Sequence, residues 1–412
     1  MNATSLQTPF FDGGLQSIKF FNGRLLSGED LTTEQLANHE ARQRLARAMG
    51  EGVVRGLEVT TGPSTTFPTV TVQAGLALNR AGDAVELTQT VSVGLYTSAA
   101  PAANLGNVSP FAQCTPIAPT AYLTNTGVYL LTIAPAMGTQ GRAPVSGLSG
   151  GGACNANYLV EGVQFNLVNL NVLAGIGTPQ LRNIVAAGCF GFGMDPMVDP
   201  FGAPPAASAT QFPWVEQLRR QGKISDAEVP LATLAWTTGT GIAFVDMWSA
   251  RRRIHRRDTA DDTVLPIRAR DVARGEAMWL QFQDQLQSLF IGSPQTVTAR
   301  DTFNYLPPVG LLPLATSSFV GFDLSTFFQG ITTTGPLDIE GARAEAVVRT
   351  AFEYPAVDLT QNEMFWIYQT RQNAQAVKTS GARPYVIFVS GQLPYFGEAR
   401  FDVARFDYSV FT

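Results

Sequence analysis

Alternation of apolar and polar residues is the clearest pattern in the first part of the chain, and it predicts β-strands. Three alternating runs lie at 53–59, 69–78 and 84–95. Turn sequences at 62–63 and 79–83 separate them. Because residues two apart lie on one face of a strand, each run offers one apolar face to a core. The runs therefore predict a small antiparallel sheet.

Helical spacing of apolar residues replaces this alternation in other segments. The first predicted helix spans 32–49, with Thr32 and Gln35 as its capping box and glycines after its end. Its apolar stripe is thin, so we expect it to lie on other elements instead of crossing a core. Helical patterns recur at three later places, which are 214–221, 267–291 and 340–352.

Further strand patterns complete the predicted fold. They lie at 127–134, 158–172, 364–369, 384–390 and 399–411, with a hairpin formed by 228–236 and 241–248. Segments rich in small residues, Gly and Pro predict long surface loops at 97–120, 136–157 and 188–213. The predicted fold class is mainly β with a few helices (α+β), made of antiparallel β modules behind an N-terminal arm and helix. The predicted units are 1–50, 51–96, 97–225, 226–300 and 301–412.

Four phenylalanines lie in the N-terminal arm, ahead of the first predicted helix. They are Phe10, Phe11, Phe20 and Phe21, and glycines lie beside them. Local structure cannot bury these rings, although burying each one is worth about 1.5–3 kcal/mol. We therefore predict that they are interface residues that pack on a neighbouring subunit.

Composition narrows the classes of function. Charged residues make up 15% of the 412-residue chain, below the roughly 25% typical of globular proteins, which suits a surface partly covered by neighbours. The net charge of −5 gives no general attraction to nucleic acid or anionic lipid, so neither is an expected main partner. The first residues lack the pattern of a secretory signal, so synthesis in the cytoplasm is expected.

Candidate catalytic chemistry is sparse. The chain has two histidines, His39 and His255, and three widely spaced cysteines without a C-x-x-C pair. Carboxylates could pair as acid and base at three places, which are Glu29 with Asp30, Asp195 with Asp199, and Asp258 with Asp261 and Asp262. Each group also lies where capping, turns or nearby arginines give carboxylates an ordinary structural role. We predict no catalytic residue, no metal site and no cofactor.

A dense run of arginines is the sharpest local feature. The candidate interface residues in it are Arg251, Arg252, Arg253, Arg256 and Arg257. Their planar guanidinium groups suit an acidic partner surface. The alternative is an exposed segment whose charge is balanced by the aspartates at 258, 261 and 262.

Several stretches resemble a known group of proteins. They include 20–31 (FFNGRLLSGEDL), 52–59 (GVVRGLEV), 72–78 (VQAGLAL) and 306–310 (LPPVG), together with 228–232 leading to 244–248. In these stretches the chain is similar to uncharacterised proteins found with phage tail-like contractile injection systems and their baseplate or tail-fibre genes. The resemblance implies a role in particle assembly and carries no active site with it.

The expected function is therefore a structural component of a contractile injection system or phage tail-like particle, at the baseplate, spike periphery or fibre attachment. It would act by oligomerisation, with a trimer favoured, and by docking to other particle subunits. It would contact a cell-surface glycan or membrane only as part of the assembled particle. Its expected location is that particle, which would be a virion, extracellular or docked to a membrane. The rival expectation is a glycan-binding or glycan-cleaving fibre module, which needs a cleft with two carboxylates and tryptophans such as Trp248, Trp279 or Trp366.

Overall fold

The structure is a computed structural model that describes 15–62, 68–97, 121–122, 126–144, 154–172, 177–191, 213–237, 240–254, 266–361, 364–391 and residue 393. Its elements are helices and mostly antiparallel sheets, which confirms the predicted α+β, mainly β fold class. Phe10, Phe11, Arg256, Arg257 and the predicted strand at 399–411 lie outside the described residues.

The first half of the chain consists mainly of strands. In chain order its elements are α1 (Gly28–Met49), β1 (Gly52–Gly56), β2 (Val59–Thr61), β3 (Thr69–Val72), β4 (Gly75–Leu78), β5 (Ala84–Leu87), β6 (Val91–Gly94), β7 (Tyr96–Thr97), β8 (Ala121–Tyr122), β9 (Gly127–Pro144), β10 (Cys154–Asn169), α2 (Leu181–Phe190) and α3 (Trp214–Arg220).

The second half alternates helices with strands. Its elements are β11 (Val229–Thr237), β12 (Gly241–Asp246), α4 (Met247–Ala250), α5 (Pro266–Leu289), α6 (Ala299–Thr302), β13 (Tyr305–Leu306), β14 (Val309–Pro313), α7 (Leu324–Phe327), β15 (Thr332–Ile339), α8 (Gly341–Ala351), β16 (Val357–Asp358), β17 (Met364–Thr370), α9 (Arg371–Ser380) and β18 (Tyr385–Ser390).

Three of the hydrophobic clusters organise most of these elements. The sheets β1-β4-β5 and β2-β3-β6 pack with the four-stranded sheet β10-β9-β11-β12 around one cluster that includes Leu57, Val72, Leu131 and Leu234. That four-stranded sheet joins strands from two of the predicted units, and the division into units stays a prediction. The sheet β14-β18-β17-β15 separates two further clusters, because alternate residues of β18 point to opposite faces.

The sequence predictions fail at several boundaries for identifiable reasons. The three runs after the first helix form two sheets instead of one, because Gly56 and Leu57 both adopt positive φ, near 60°, and break the first run. The predicted loop at 136–157 is wrong at both ends, where β9 continues to Pro144 and β10 begins at Cys154. The second hairpin strand ends at Asp246, not at 248, because the Asp246 carboxylate caps α4.

Candidate interaction surface

Helix α1 begins four residues earlier than predicted, at a capping box made by Ser27 and Asp30. The Asp30 carboxylate accepts a hydrogen bond from the Ser27 backbone N–H at 3.0 Å, and the Ser27 hydroxyl accepts from the Asp30 N–H at 3.1 Å. These bonds, with the Arg24 guanidinium 2.6 Å away, lower the pKa of Asp30. A carboxyl that is held ionised by a cap is poorly suited to act as a general acid.

The arm, residues 15–27, runs alongside α1 and is tied to it by polar contacts. Besides the Arg24–Asp30 ion pair, the Ile18 backbone N–H donates to Glu34 Oε2 at 3.0 Å. The arm rings Phe20 and Phe21 are 54% and 63% exposed. The described segments of the chain therefore leave Phe20 and Phe21 largely exposed.

Polar contacts also attach α1 to the β-sheets, at the turn between β4 and β5. The Gln43 amide donates to Asp83 Oδ1 at 2.6 Å, and His39 Nε2 lies 3.4 Å from the same oxygen. Gly82 approaches so closely that a Cβ there would lie 2.4 Å from the Gln43 carbonyl oxygen. No residue of α1 is buried, so this helix is held by hydrogen bonds instead of apolar packing.

Large apolar side chains therefore remain uncovered along the arm and α1. We call them the arm-helix surface, and they are Leu15, Phe20, Phe21, Leu25, Leu26, Leu31, Leu36, Leu45 and Met49. Monomeric soluble proteins rarely expose this many large apolar side chains on two adjoining segments. Exposure of Phe20 and Phe21 was predicted from the sequence, whereas the leucines of α1 were expected to lie against other elements.

A second exposed apolar region was missed by the sequence analysis. Beyond Ile133, β9 pairs with β10 alone, so 134–144 and 154–164 form a two-stranded ribbon. Met137, Tyr158 and Leu159 are each more than 60% exposed on this ribbon. A two-stranded ribbon is marginally stable by itself in water, and its open edges can pair with another strand. The Gly, Pro and Ala content of 136–157 predicted a loop for the outer part of the ribbon, whereas 158–172 was predicted as a strand.

The arginine run divides into an interior part and an exposed part. Arg251 is 8% exposed and donates to the Gly56 carbonyl at 2.7 Å. The Arg252 guanidinium donates to four carbonyl oxygens and lies over the Phe190 ring at 4.7 Å. Arg253 has a 69% exposed side chain and an ion pair with Glu276 at 3.3 Å. The expectation of an exposed run is therefore wrong for Arg251 and Arg252, and an interface role remains a prediction for Arg253.

Arg252 lies between the ends of two helices. Its acceptors are the carbonyls of Trp248, Ser249 and Arg251 around the end of α4 and the carbonyl of Cys189 near the end of α2. Helices leave their last carbonyls without internal partners, and a cation there also complements the helix dipole. Burial lowers the pKa of Arg252 to about 10. This arginine therefore serves as an internal cap.

A buried carboxylate joins the two halves of the chain close by. Asp246 accepts from Arg182 Nε at 2.8 Å, from the Gln281 amide at 2.9 Å and from the Ser249 backbone N–H at 3.0 Å. Arg182 also pairs with Asp284. Because α2, α5 and the end of β12 supply these groups, the cluster connects the β-rich first half with the long helix of the second. All three bonds to Asp246 come from protein groups, which fits a structural joint.

The rival glycan module loses much of its support in the described part of the chain. Trp279 and Trp366 pack in the hydrophobic cluster around Tyr368, and Trp248 stacks with Arg251 at 5.5 Å. These rings pack against other side chains, so they do not form an open surface on which a sugar could stack. Of the candidate carboxylates, Asp30 is used by the α1 cap, and Asp195, Asp199, Asp258, Asp261 and Asp262 lie outside the described residues.

Within the described ranges, the cysteines and the groups of potential metal ligands provide neither a reactive thiol nor a metal site. Cys189 is a free, buried thiol whose pKa burial raises to about 12, so it is unreactive at neutral pH. Within those ranges no three His, Cys, Asp or Glu residues come together as a metal site. Of the helices in the described segments, none is long and apolar enough to cross a membrane.

Comparison with known proteins adds no family. The chain matches no protein-family model and no curated protein sequence.

Proposed function

We propose that the protein is a structural subunit of a contractile injection system or phage tail-like particle, at the baseplate, spike periphery or fibre attachment. It joins neighbouring subunits through the arm-helix surface. The observation that carries this proposal is a 22-residue helix, α1, with no buried residue and with its leucines exposed. Apolar side chains in that state are stabilised when a neighbour covers them.

Two further features support an assembly role. The β9–β10 ribbon supplies a separate exposed apolar region, so one copy has surface for more than one neighbour. Buried charged residues such as Asp246 and Arg251 hydrogen-bond to protein groups instead of pointing into an open site. The sequence resemblance to injection-system proteins points the same way.

Co-sedimentation from the organism that makes the protein tests the proposal. The chain, carrying an epitope tag at its C-terminus, should sediment with high-mass particles, and electron microscopy with a tag-specific antibody should place it on them. Changing Phe20 and Phe21 to Ser should reduce the share of chain in particles without lowering its thermal stability. Detection of the wild-type chain only in low-mass fractions, under conditions that yield intact particles, would refute the assignment.

A further inference from the structure

The exposed side of α1 has the residue spacing of a helix-pairing seam. At 100° per residue, six positions fall within an arc of about 80°. They are Leu31, Gln35, Asn38, Arg42, Leu45 and Met49, and all six are exposed. Their spacing alternates between four and three residues, which is the period of a two-helix coiled coil. The arm and the β4–β5 turn flank this seam and leave it uncovered.

Charge is segregated along the same helix. The acidic residues lie in its first thirteen positions, and the arginines lie in its last nine. The acidic residues are Glu29, Asp30, Glu34 and Glu40, and the basic ones are Arg42, Arg44 and Arg47. Of these charged residues, Arg42 lies in the seam itself. In a parallel pair or trimer of α1, Arg42 would face Arg42 of the next copy. An antiparallel pair sets the two arginines at different levels of the seam, and it also opposes the two helix dipoles.

We infer that α1 binds α1 of a second copy of this chain in an antiparallel, two-fold symmetric pair. This inference rests on the proposed assembly function and names the partner of the arm-helix surface. With the two-fold axis at the level of Glu40, Leu31 faces Met49 of the second copy, and Leu45 faces Gln35. Asn38 faces Arg42, which supplies a donor to its side-chain oxygen. A two-fold contact uses the same patch on both copies.

The available area is adequate for a reversible dimer. The six seam residues, all exposed, offer on the order of 100 Å² each, or roughly 600 Å² per copy. A standard interface uses about 800 Å² per partner. Pairing through α1 gives a dimer, so the trimer expected from sequence would have to form through another surface, such as the β9–β10 ribbon.

Light scattering after size exclusion tests whether the seam carries association. The wild-type chain should be dimeric at about 100 µM, and the double variant Leu31→Glu, Leu45→Glu should shift to monomer, with at least a tenfold weaker dimer. The matched control is Leu36→Glu, because Leu36 is 62% exposed and Leu45 is 69% exposed, but Leu36 lies outside the seam. The control should remain dimeric. A monomeric wild-type chain, or equal weakening by the control, overturns the inference.

Label distances test the antiparallel direction. A single spin label is attached at Glu40→Cys or at Thr33→Cys, in a chain with Cys114 and Cys154 changed to Ser. Both labelled positions lie on one side of α1. At 1.5 Å per residue, an antiparallel pair separates the two Glu40 labels by roughly 0 Å along the axis and the two Thr33 labels by about 21 Å. The distance at 40 should therefore be the shorter one. Equal distances at both positions indicate a parallel pair and overturn the inference.

Failure of this inference can be told apart from failure of the proposed function. If the wild-type chain is monomeric while the Leu31→Glu, Leu45→Glu variant is lost from particles, the seam binds a different subunit and the assembly role stands. If the chain dimerises through the seam but never sediments with particles, the dimer stands and the particle assignment falls. Circular dichroism of both variants should match wild type, since every substituted residue is exposed.

Discussion

Changing Arg252 to Ala tests whether the arginine run is part of the protein interior. The substitution removes a guanidinium that donates to the carbonyls of Arg251 at 2.8 Å, Trp248 at 2.9 Å, Ser249 at 3.1 Å and Cys189 at 3.5 Å. Without it, the ends of α2 and α4 lose a shared cap. The Phe190 ring also loses a cation at 4.7 Å.

The expected loss follows from opposing contributions. A hydrogen bond from a charged donor is worth about 1.5–3 kcal/mol, and a desolvated cation–π contact about 2 kcal/mol. These values do not add fully, since the bonds share one group. Removing the arginine also removes the cost of burying its charge, a cost that is evident in its lowered pKa. We expect a net loss of about 3 kcal/mol in the free energy of unfolding.

Urea denaturation followed by tryptophan fluorescence measures this loss, and the chain contains its own control. Arg253 is the next residue, but its side chain is 69% exposed and its ion pair with Glu276 is a surface contact, so Arg253→Ala should cost less than about 1 kcal/mol. Arg252→Lys keeps the charge without the planar fork and should fall between the two. Equal stability of the two alanine variants would refute the capping role.

Three further outcomes are expected. Glu228 is buried, but hydrogen bonds from Ser225, Thr132 and Asn166 outweigh that burial and lower the pKa of Glu228. The wild-type chain should therefore lose this stabilisation as the pH falls below about 4.5. In urea titrations, Glu228→Gln should be less stable than wild type at pH 7 and less sensitive to acid. Gly275→Ala should destabilise by at least about 2 kcal/mol in thermal melts, because its Cβ would lie 2.1 Å from the Phe352 carbonyl oxygen, whereas Gly292→Ala meets nothing closer than 3.7 Å and should be neutral. Asp83→Ala should speed amide exchange in α1 and leave exchange in β17 and β18 unchanged, because Asp83 is the acceptor that holds Gln43.

Elements with strong local signals could be predicted from sequence. The β11–β12 hairpin, α5 and strands β17 and β18 lie close to their predicted positions, because apolar periodicity and turn residues agree there. The first helix shows how such signals compete. Thr32 with Gln35 and Ser27 with Asp30 both have capping-box spacing, and the earlier pair forms the observed cap.

Features that depend on distant partners could not be predicted in this way. The carbonyls that bind Arg252 belong partly to α2, more than sixty residues earlier in the chain, and a run of charges carries no sign of them. Residues 136–144 and 154–157 of the β9–β10 ribbon have a loop-like composition and become strand through register pairing. The leucines of α1 have helical spacing in either case, so sequence alone did not reveal that they are exposed on the described part of the chain.

The body of the protein and helix α1 are held by different kinds of contact, and this difference bears on how the protein assembles. Asp246 and Arg252 fix the body through buried, charge-assisted hydrogen bonds, which are costly to break. Helix α1 is held to the β4–β5 turn by hydrogen bonds such as those from Gln43 to Asp83 and from Arg47 to the Ala81 carbonyl, without a buried apolar side chain. Each such bond contributes only about 0.5–1.5 kcal/mol, so α1 is attached less firmly than the body is held together. A neighbour that covers its leucines would supply the missing apolar burial, so binding and final positioning of α1 would occur together on a body that is already rigid.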